Sequence, residues 1–500
     1  MTRDPITALL EARGAAVPLA VVSTPDETAL VVRLRERLAG AAALISWDAL
    51  RGLVPLSDAA LPWLQAVGYE PGPLALPDVF RLMMGEQSYP LKGVLAVHMA
   101  HRTVWDDLPA LQGVAVLRDW AKGRGIMVVL LAPAGTTPPE ISGDVLTLDD
   151  ALPDESEIAT IRDKTVSEAS AAFPVEDPTE EVKAGTVAAL VGLPRFQVEQ
   201  AVSVVLKSRG RLDLDDLWVH KGAMLRGVKG LSLEKPSAGF ESLGGLRAVC
   251  DWGRRMFEGE DSPMVVVRWD EIDKAVSAAG SESNGVINDA VGHLLTSIVD
   301  LKWTGTTWAG VPGAGKSAAV RALAAEFKRR VISFDMGALR DKYQGTSEQA
   351  IRRVVETLFA IAGRHVLIVA TCNKPEVITP EMKRRLSPIF FFDSPDEGER
   401  SAIWPIHLAA NGLPLDSARP DDRVWTGAEI ASCCMWARRL RLSLVDAARY
   451  VVPVAVSDRD AVERLRRAAD GHFLSASYEG TYRLALPSLD VPAANTGRGF

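Results

Sequence analysis

Cysteine is scarce and poorly placed for chemistry. The four residues Cys250, Cys372, Cys433 and Cys434 show neither a metal-type spacing nor a disulfide framework. A reduced, cytoplasmic setting is the expectation that follows. Long apolar runs are missing as well. The longest near the start, Ala15 to Val22, is too short to span a bilayer, so no membrane association is expected. Asp4 and Glu11 precede it and argue against a secretory signal peptide. Nor is there an excess of positive charge. A formal net charge of −8 gives no general pull towards nucleic acid or anionic membranes. Two arginine clusters (Arg438, Arg439 and Arg441; Arg464, Arg466 and Arg467) fall in helical patterns and read as solvated helix faces.

What is present is an ordinary globular composition, 47% hydrophobic and 24% charged, over 500 residues. That length allows two or three domains with sizeable cores. The first part alternates short β-rich runs (Pro18–Ser23, Ala43–Trp47, Gly93–His98, Ile126–Ala132 and Asp144–Leu148) with helical patterns such as Glu27–Leu38 and Trp105–Lys122. Such alternation predicts a parallel sheet covered on both faces. A helical stretch follows from about Glu155 to Lys207, interrupted by Pro- and Glu-rich sequence near Pro174–Glu181. A second β/α series runs from Gly239 to about Asp393, and Glu397–Ala469 reads as helical.

One motif carries specific chemistry. Gly310, Val311, Pro312, Gly313, Ala314, Gly315, Lys316 and Ser317 spell a complete phosphate-binding loop between an apolar strand, Thr306–Ala309, and a helix opening at Ala318. Glycines let backbone N–H groups approach phosphates, and the helix N-terminus adds partial positive charge. Lys316 is expected to reach the β- and γ-phosphates of ATP, and the Ser317 hydroxyl to ligate Mg²⁺. Hydrolysis also needs carboxylates. Met264–Glu271 is a strand ending in adjacent acids, in which Asp270 would serve the metal through water and Glu271 would act as general base. Arg268 is out of place in a strand expected to be buried on both faces.

Around these motifs the chain resembles the AAA clade of the AAA+ ATPases. Phe240–Leu246, with Gly244, is similar to the segment that packs near adenine, and Val366–Asn373 to the sensor 1 strand that aims Asn373 at the γ-phosphate and lytic water. Pro380–Arg385 stands in the place of the arginine fingers, which implies that Arg384 or Arg385 reaches a neighbouring subunit's site. The family's Gly-Arg-Phe-Asp segment is replaced by Leu386-Ser-Pro-Ile389. Ile403–His407 resembles the lid segment whose histidine lies by the ribose and adenine, and Thr426–Ile430, with Gly427 and Ala428, the turn beside the nucleotide. Lys342 and Tyr343 match a pore loop that grips extended polypeptide.

The order of these parts departs from the family. There the acid-bearing strand follows the phosphate loop by roughly fifty residues; here it precedes it. Both rewired links contain a helix and are long enough for ordinary parallel crossovers. The expectation is therefore a rewired sheet that restores the usual site in space.

The first part looks AAA-like but stripped. Ser23–Thr28 has neither lysine nor glycine where a phosphate loop would lie, and Gly93–Met99 lacks an acidic pair, so nucleotide binding in the usual way is not expected there. An inactive AAA-like unit joined to an active one resembles the ycf-type AAA proteins of cyanobacteria and plastids, and bacterial or phage relatives, over about residues 5–480.

The expected fold class is α/β. A degenerate AAA-like α/β domain (1–150) leads to a helical lid or linker (151–235), a P-loop AAA+ domain (236–396), a helical lid (397–485) and a flexible tail (486–500). The resemblance implies a homo-oligomer, a hexameric ring, in which Mg·ATP hydrolysis remodels an unidentified protein partner. A nucleotide-state switch or scaffold with little hydrolysis is the alternative. A DNA-linked motor is disfavoured by the acidic charge balance and the lack of a recognisable DNA-binding module.

Overall fold

A computed structural model describes residues 4–38, 40, 42–85, 91–133, 137–226, 228–235, 237–273, 284–336 and 348–484. The chain forms two compact units. Met1–Glu176 with Leu193–Arg211 makes the first, and Asp177–Gly192 with Leu212–Phe500 the second. The segment 151–235 is therefore divided. Helices Glu155–Ala172 and Arg195–Arg209 pack in the first unit, whereas Glu180–Leu190 and Leu214–Leu225 pack in the second.

Among the described residues, six strands build the first sheet: β1 (Leu19–Ser23), β2 (Ala43–Asp48), β3 (Gly52–Pro55), β4 (Gly93–Val97), β5 (Ile126–Ala132) and β6 (Leu146–Asp149). Their order is β3-β2-β4-β5-β1-β6, parallel throughout except for β3. Strand β3 was not legible in the sequence. Its four residues are too few for a periodic pattern, and it pairs with β2 through a short turn. Successive side chains alternate between the faces. Val128 and Leu130 thus enter one core with Trp63, Phe80 and Leu117, while Val129 and Leu131 enter the other with Ile6, Leu30 and Leu34. That double burial explains why the strands read as continuous apolar runs.

The second sheet has, among the described residues, seven strands: β7 (Leu231–Leu233), β8 (Val265–Trp269), β9 (Thr304–Gly310), β10 (Arg330–Phe334), β11 (Val366–Cys372), β12 (Ile389–Phe392) and β13 (Leu474–Ser475). Their order is β13-β12-β9-β11-β8-β10-β7, with only β7 antiparallel. Apart from the edge strands β3, β7 and β13, the two sheets share one plan. β9, β10, β8, β11 and β12 hold the places that β1, β2, β4, β5 and β6 hold in the first unit. Strand β8, which leads into Asp270, is first of the five in sequence, yet it takes the place of the third strand of that set in the first unit. The rewired parallel sheet expected from the sequence is the one observed.

Helix Lys316–Glu326 covers one face of this sheet, where Val320 and Leu323 share a core with Trp308, Val331, Leu367 and Phe392. Beyond β12 come helices Glu397–Asn411 and Gly427–Leu440, which enclose a smaller core around Trp404, Trp425, Cys433 and Cys434. The helical part ends before 485, because β13 returns to the sheet and pairs with Phe390 and Phe391. Among the described residues no helix is long and apolar enough to cross a membrane.

Lys221 is a buried charge in the second unit. It is fully buried, donates to the Ala188 carbonyl at 3.1 Å, and lies 4.7 Å from the centre of the Trp218 ring. Burial outweighs both contacts and pushes its pKa down from 10.5 to about 7. Between these values the unfolded chain binds the extra proton, so stability rises with pH through that window and the cost is complete below it. Lys221→Met is expected to stabilise the fold most at pH 6–7, by an amount on the order of a few kcal/mol, with the gain closing near pH 10. Thermal unfolding followed across pH 6–10 checks this, and a pH-independent gain would contradict it.

Candidate functional site

Strand register brings the parts together. Ala370 of β11 lies opposite Trp269 of β8, and Cys372 lies opposite Ala309 of β9. The chain after Trp269 and the chain after Gly310 therefore leave the same edge of the sheet, two strand spacings or about 10 Å apart. A cavity of about 660 Å³ opens on this edge.

The phosphate loop forms one wall. Gly310 has φ +145°, and a Cβ there would stand 2.1 Å from the Phe392 carbonyl oxygen. Gly315 has φ +94° immediately before helix Lys316–Glu326, a conformation that costs a side-chain-bearing residue but not glycine. Pro312, Gly313, Ala314, Gly315, Lys316, Ser317 and Ala318 line the cavity. Gly310 and Val311 do not; their carbonyls accept from the Lys316 ammonium at 2.9 and 3.0 Å. Burial pushes the Lys316 pKa down to about 8, against the opposing pull of Cys372, Asp273, Glu271 and Asp270.

The acids form the opposite wall. Thr371, buried beside them, uses its hydroxyl twice: it donates to Asp270 Oδ1 at 2.8 Å and accepts from the Glu271 N–H at 3.0 Å. Glu271 has φ +47°, a left-handed conformation that costs a non-glycine residue roughly 1 kcal/mol or more. Strain of this kind persists only where neighbours hold it. The Asn373 amide nitrogen lies 3.5 Å from Glu271 Oε1, and the Asn373 N–H donates to Asp273 at 3.0 Å.

Gly244, Ile403, Ile406, His407, Gly427 and Ala428 supply a less polar end. Gly244 passes so close to Ile403 that a Cβ would lie 2.5 Å from its backbone nitrogen. Burial lowers the His407 pKa, so the imidazole is held neutral. A shelf of small and apolar groups with a neutral ring suits a flat heteroaromatic base.

Several residues of the cavity went unrecognised in the sequence: Thr371, Asp393, Glu399 and Arg321. Glu399 carried a signal, since Asp396 and Glu399 form a capping box. The same carboxylate also accepts from the Leu246 N–H at 3.1 Å and so ties the lid helix to the Gly244 segment. Arg384 and Arg385 do not line the cavity of their own chain. Arg385 pairs with Glu381 at 3.0 Å, whereas the Arg384 side chain is exposed. Lys342 and Tyr343 lie outside the described residues.

The first unit shows the same sheet edge without these groups. Thr24 donates to the buried Asp150 carboxylate at 2.9 Å, and Asp26 caps the following helix through the Ala29 N–H at 3.0 Å. Glu27 accepts from the Met99 N–H at 3.0 Å and contacts His98 Nδ1 at 2.9 Å. Carboxylates occupy backbone donors of the kind a phosphate would use.

Residues 306–369 match the model of the ATPase family associated with various cellular activities (AAA). That match omits Asp270 and Glu271, which lie upstream of it. An uncharacterized AAA domain-containing protein, ycf46 of Pyropia yezoensis, is 27% identical over 34% of this chain and 46% of its own length. Another from Schizosaccharomyces pombe is 29% identical over 26% of this chain and 23% of its own. The chain thus spans less than half the length of either relative. With the loop, the sheet order and these matches in hand, the second unit carries, over residues 306–369, a match to the AAA ATPase family, in a chain that resembles the ycf46-type AAA proteins.

Proposed function

We propose that the second unit binds Mg·ATP and hydrolyses it as part of a hexameric ring that remodels or threads a protein partner. The observation that carries this reading is the convergence of Lys316, Ser317, Asp270, Glu271 and Asn373 on one cavity, although the acids precede the loop in sequence. Lys316 would hold the β- and γ-phosphates. Glu271 would take the proton of a water that Asn373 orients, as that water attacks the γ-phosphorus and ADP departs.

The donor set fits a magnesium ion. Among the described residues no cluster of three or more His, Cys, Asp or Glu could hold a metal alone. A hydroxyl (Ser317) and a carboxylate (Asp270, through water) are all oxygen donors. They suit a hard cation that keeps waters and arrives with phosphates. When bound, that ion would neutralise charge developing on the phosphates.

Ring formation is supported by the exposed Arg384. Pinned by Glu381, Arg385 is the poorer candidate for reaching out, so we assign the trans-acting role to Arg384. The resemblance of Lys342 and Tyr343 to a polypeptide-gripping loop supports a protein partner. The net charge of −8 argues against nucleic acid.

Phosphate release and light scattering test the reading together. Glu271→Gln is expected to lower turnover about 10²- to 10⁴-fold while retaining ATP and the oligomer; unchanged turnover would remove Glu271 from its role. Arg384→Ala is expected to cost about 10³-fold with nucleotide affinity preserved, and Arg385→Ala much less. The reverse ranking would reassign the finger. Tyr343→Ala should keep hydrolysis and lose partner processing. A wild-type oligomer that binds ATP without turnover would instead support the switch or scaffold reading.

A further inference from the structure

The arginine that looked misplaced in the sequence sits among charges that give it a task. β8 reads Val-Val-Val-Arg-Trp, and Arg268 is its one partly exposed residue. With a side-chain period of two, Arg268 projects to the same face as Asp270. Its guanidinium lies between two carboxylates. Nε is 3.1 Å from Glu234 Oε1, and Nη2 is 3.3 Å from Asp270 Oδ2. Nη2 also donates to Ser333 Oγ at 3.2 Å.

These contacts differ in quality. The bond to Ser333 is aligned, whereas both carboxylate contacts are close but off-axis. Arg268 Nε and Glu234 Oε1 are buried without an aligned hydrogen-bond partner. Neither acid is gripped in the two-pronged manner that makes arginine–carboxylate pairs strong. Glu234, just beyond β7, also lies 3.8 Å from Arg321 of the phosphate-loop helix. One oxygen of Asp270 is thus engaged by Thr371, and the other faces a positive charge from its own strand.

We propose that Arg268 competes with the divalent cation for the Asp270 carboxylate, and that Glu234 sets the strength of this competition by holding the arginine back. The proposal rests on the reading of Asp270 as the metal-site acid. A cation approaching Asp270 meets a carboxylate already partly neutralised, and a guanidinium a few ångströms away repels it. When Asp270 turns to the metal, Arg268 keeps Glu234 and Ser333, so no buried charge is stranded. Arg268 is on this account a positioning residue that raises the Mg²⁺ concentration at which the site loads.

The test uses the full chain and a fluorescent, non-hydrolysable ATP analogue, and reads the free Mg²⁺ that gives half of the Mg²⁺-dependent rise in binding. Arg268→Met is expected to lower this midpoint about three- to tenfold. Glu234→Gln should raise it by a similar factor, because the guanidinium then rests more fully on Asp270. The double variant should match Arg268→Met alone, since Glu234 acts through the arginine; two independent charges would add instead. An unchanged or raised midpoint in Arg268→Met, or additivity in the double variant, overturns the proposal. If Arg268→Met does not fold, Glu234→Gln decides, and a midpoint that stays put or falls overturns it. Asp270→Asn separates this idea from the one beneath it. A wild-type midpoint in Asp270→Asn rejects Asp270 as a metal acid; a shifted midpoint there with an unmoved Arg268→Met rejects only the competition.

Discussion

Everything at the site depends on β11 being hydrogen-bonded on both sides, to β9 through Leu367–Cys372 and to β8 through Val366–Ala370. This double pairing sets the spacing between the phosphate loop and the acids, and it delivers Thr371 between them. Parallel strands must all present the same end to a given edge, so a loop and a pair of acids that each follow a strand arrive on one side whatever their order along the chain. The ladder is indifferent to which strand was made first. That indifference is what lets a β/α unit change its place in the sequence while the cavity remains whole.

The first unit makes the point within the same molecule. Its five parallel strands take the same spatial order in straightforward sequence, with β4 where the second unit has β8. Yet its sheet edge is closed by its own carboxylates, Asp26, Glu27 and Asp150. Sheet plan and site chemistry are thus separable. The plan follows from apolar strands buried on both faces, and the chemistry from a handful of residues just past their ends.

Two kinds of tension are built into the active edge. Glu271 adopts a left-handed backbone, and Lys316 is buried with its ammonium on two carbonyls of its own loop. Arg268, set between Glu234 and Asp270, is a second constrained charge. A triphosphate and its cation would give Lys316 and Asp270 new partners, while Arg268 would fall back on Glu234 and Ser333. A site arranged in this way keeps its charged groups in place beforehand and leaves little reorganisation for the moment of reaction.

Much of this was legible in the amino-acid order. Gly310–Ser317 required a strand before it and a helix after it, and the acids at Asp270 and Glu271 required a strand ending there, because local rules of backbone freedom and burial act within a few residues. Both α/β units could be read from their alternating patterns for the same reason. Other features needed the fold. Thr371 is an unremarkable strand residue until β11 sets it beside β8. Arg268 is an anomaly until Glu234, 34 positions earlier, comes to face it. The helices of 151–235 carry no mark of which core each will join. The sequence by itself determined which segments become strands and helices and which loop can cradle phosphate, since those depend on neighbours along the chain. Only the tertiary structure decided which strand lies beside which, and hence which carboxylate, hydroxyl and guanidinium meet, because pairing across a sheet joins residues a hundred positions apart through hydrogen bonds that no local pattern encodes.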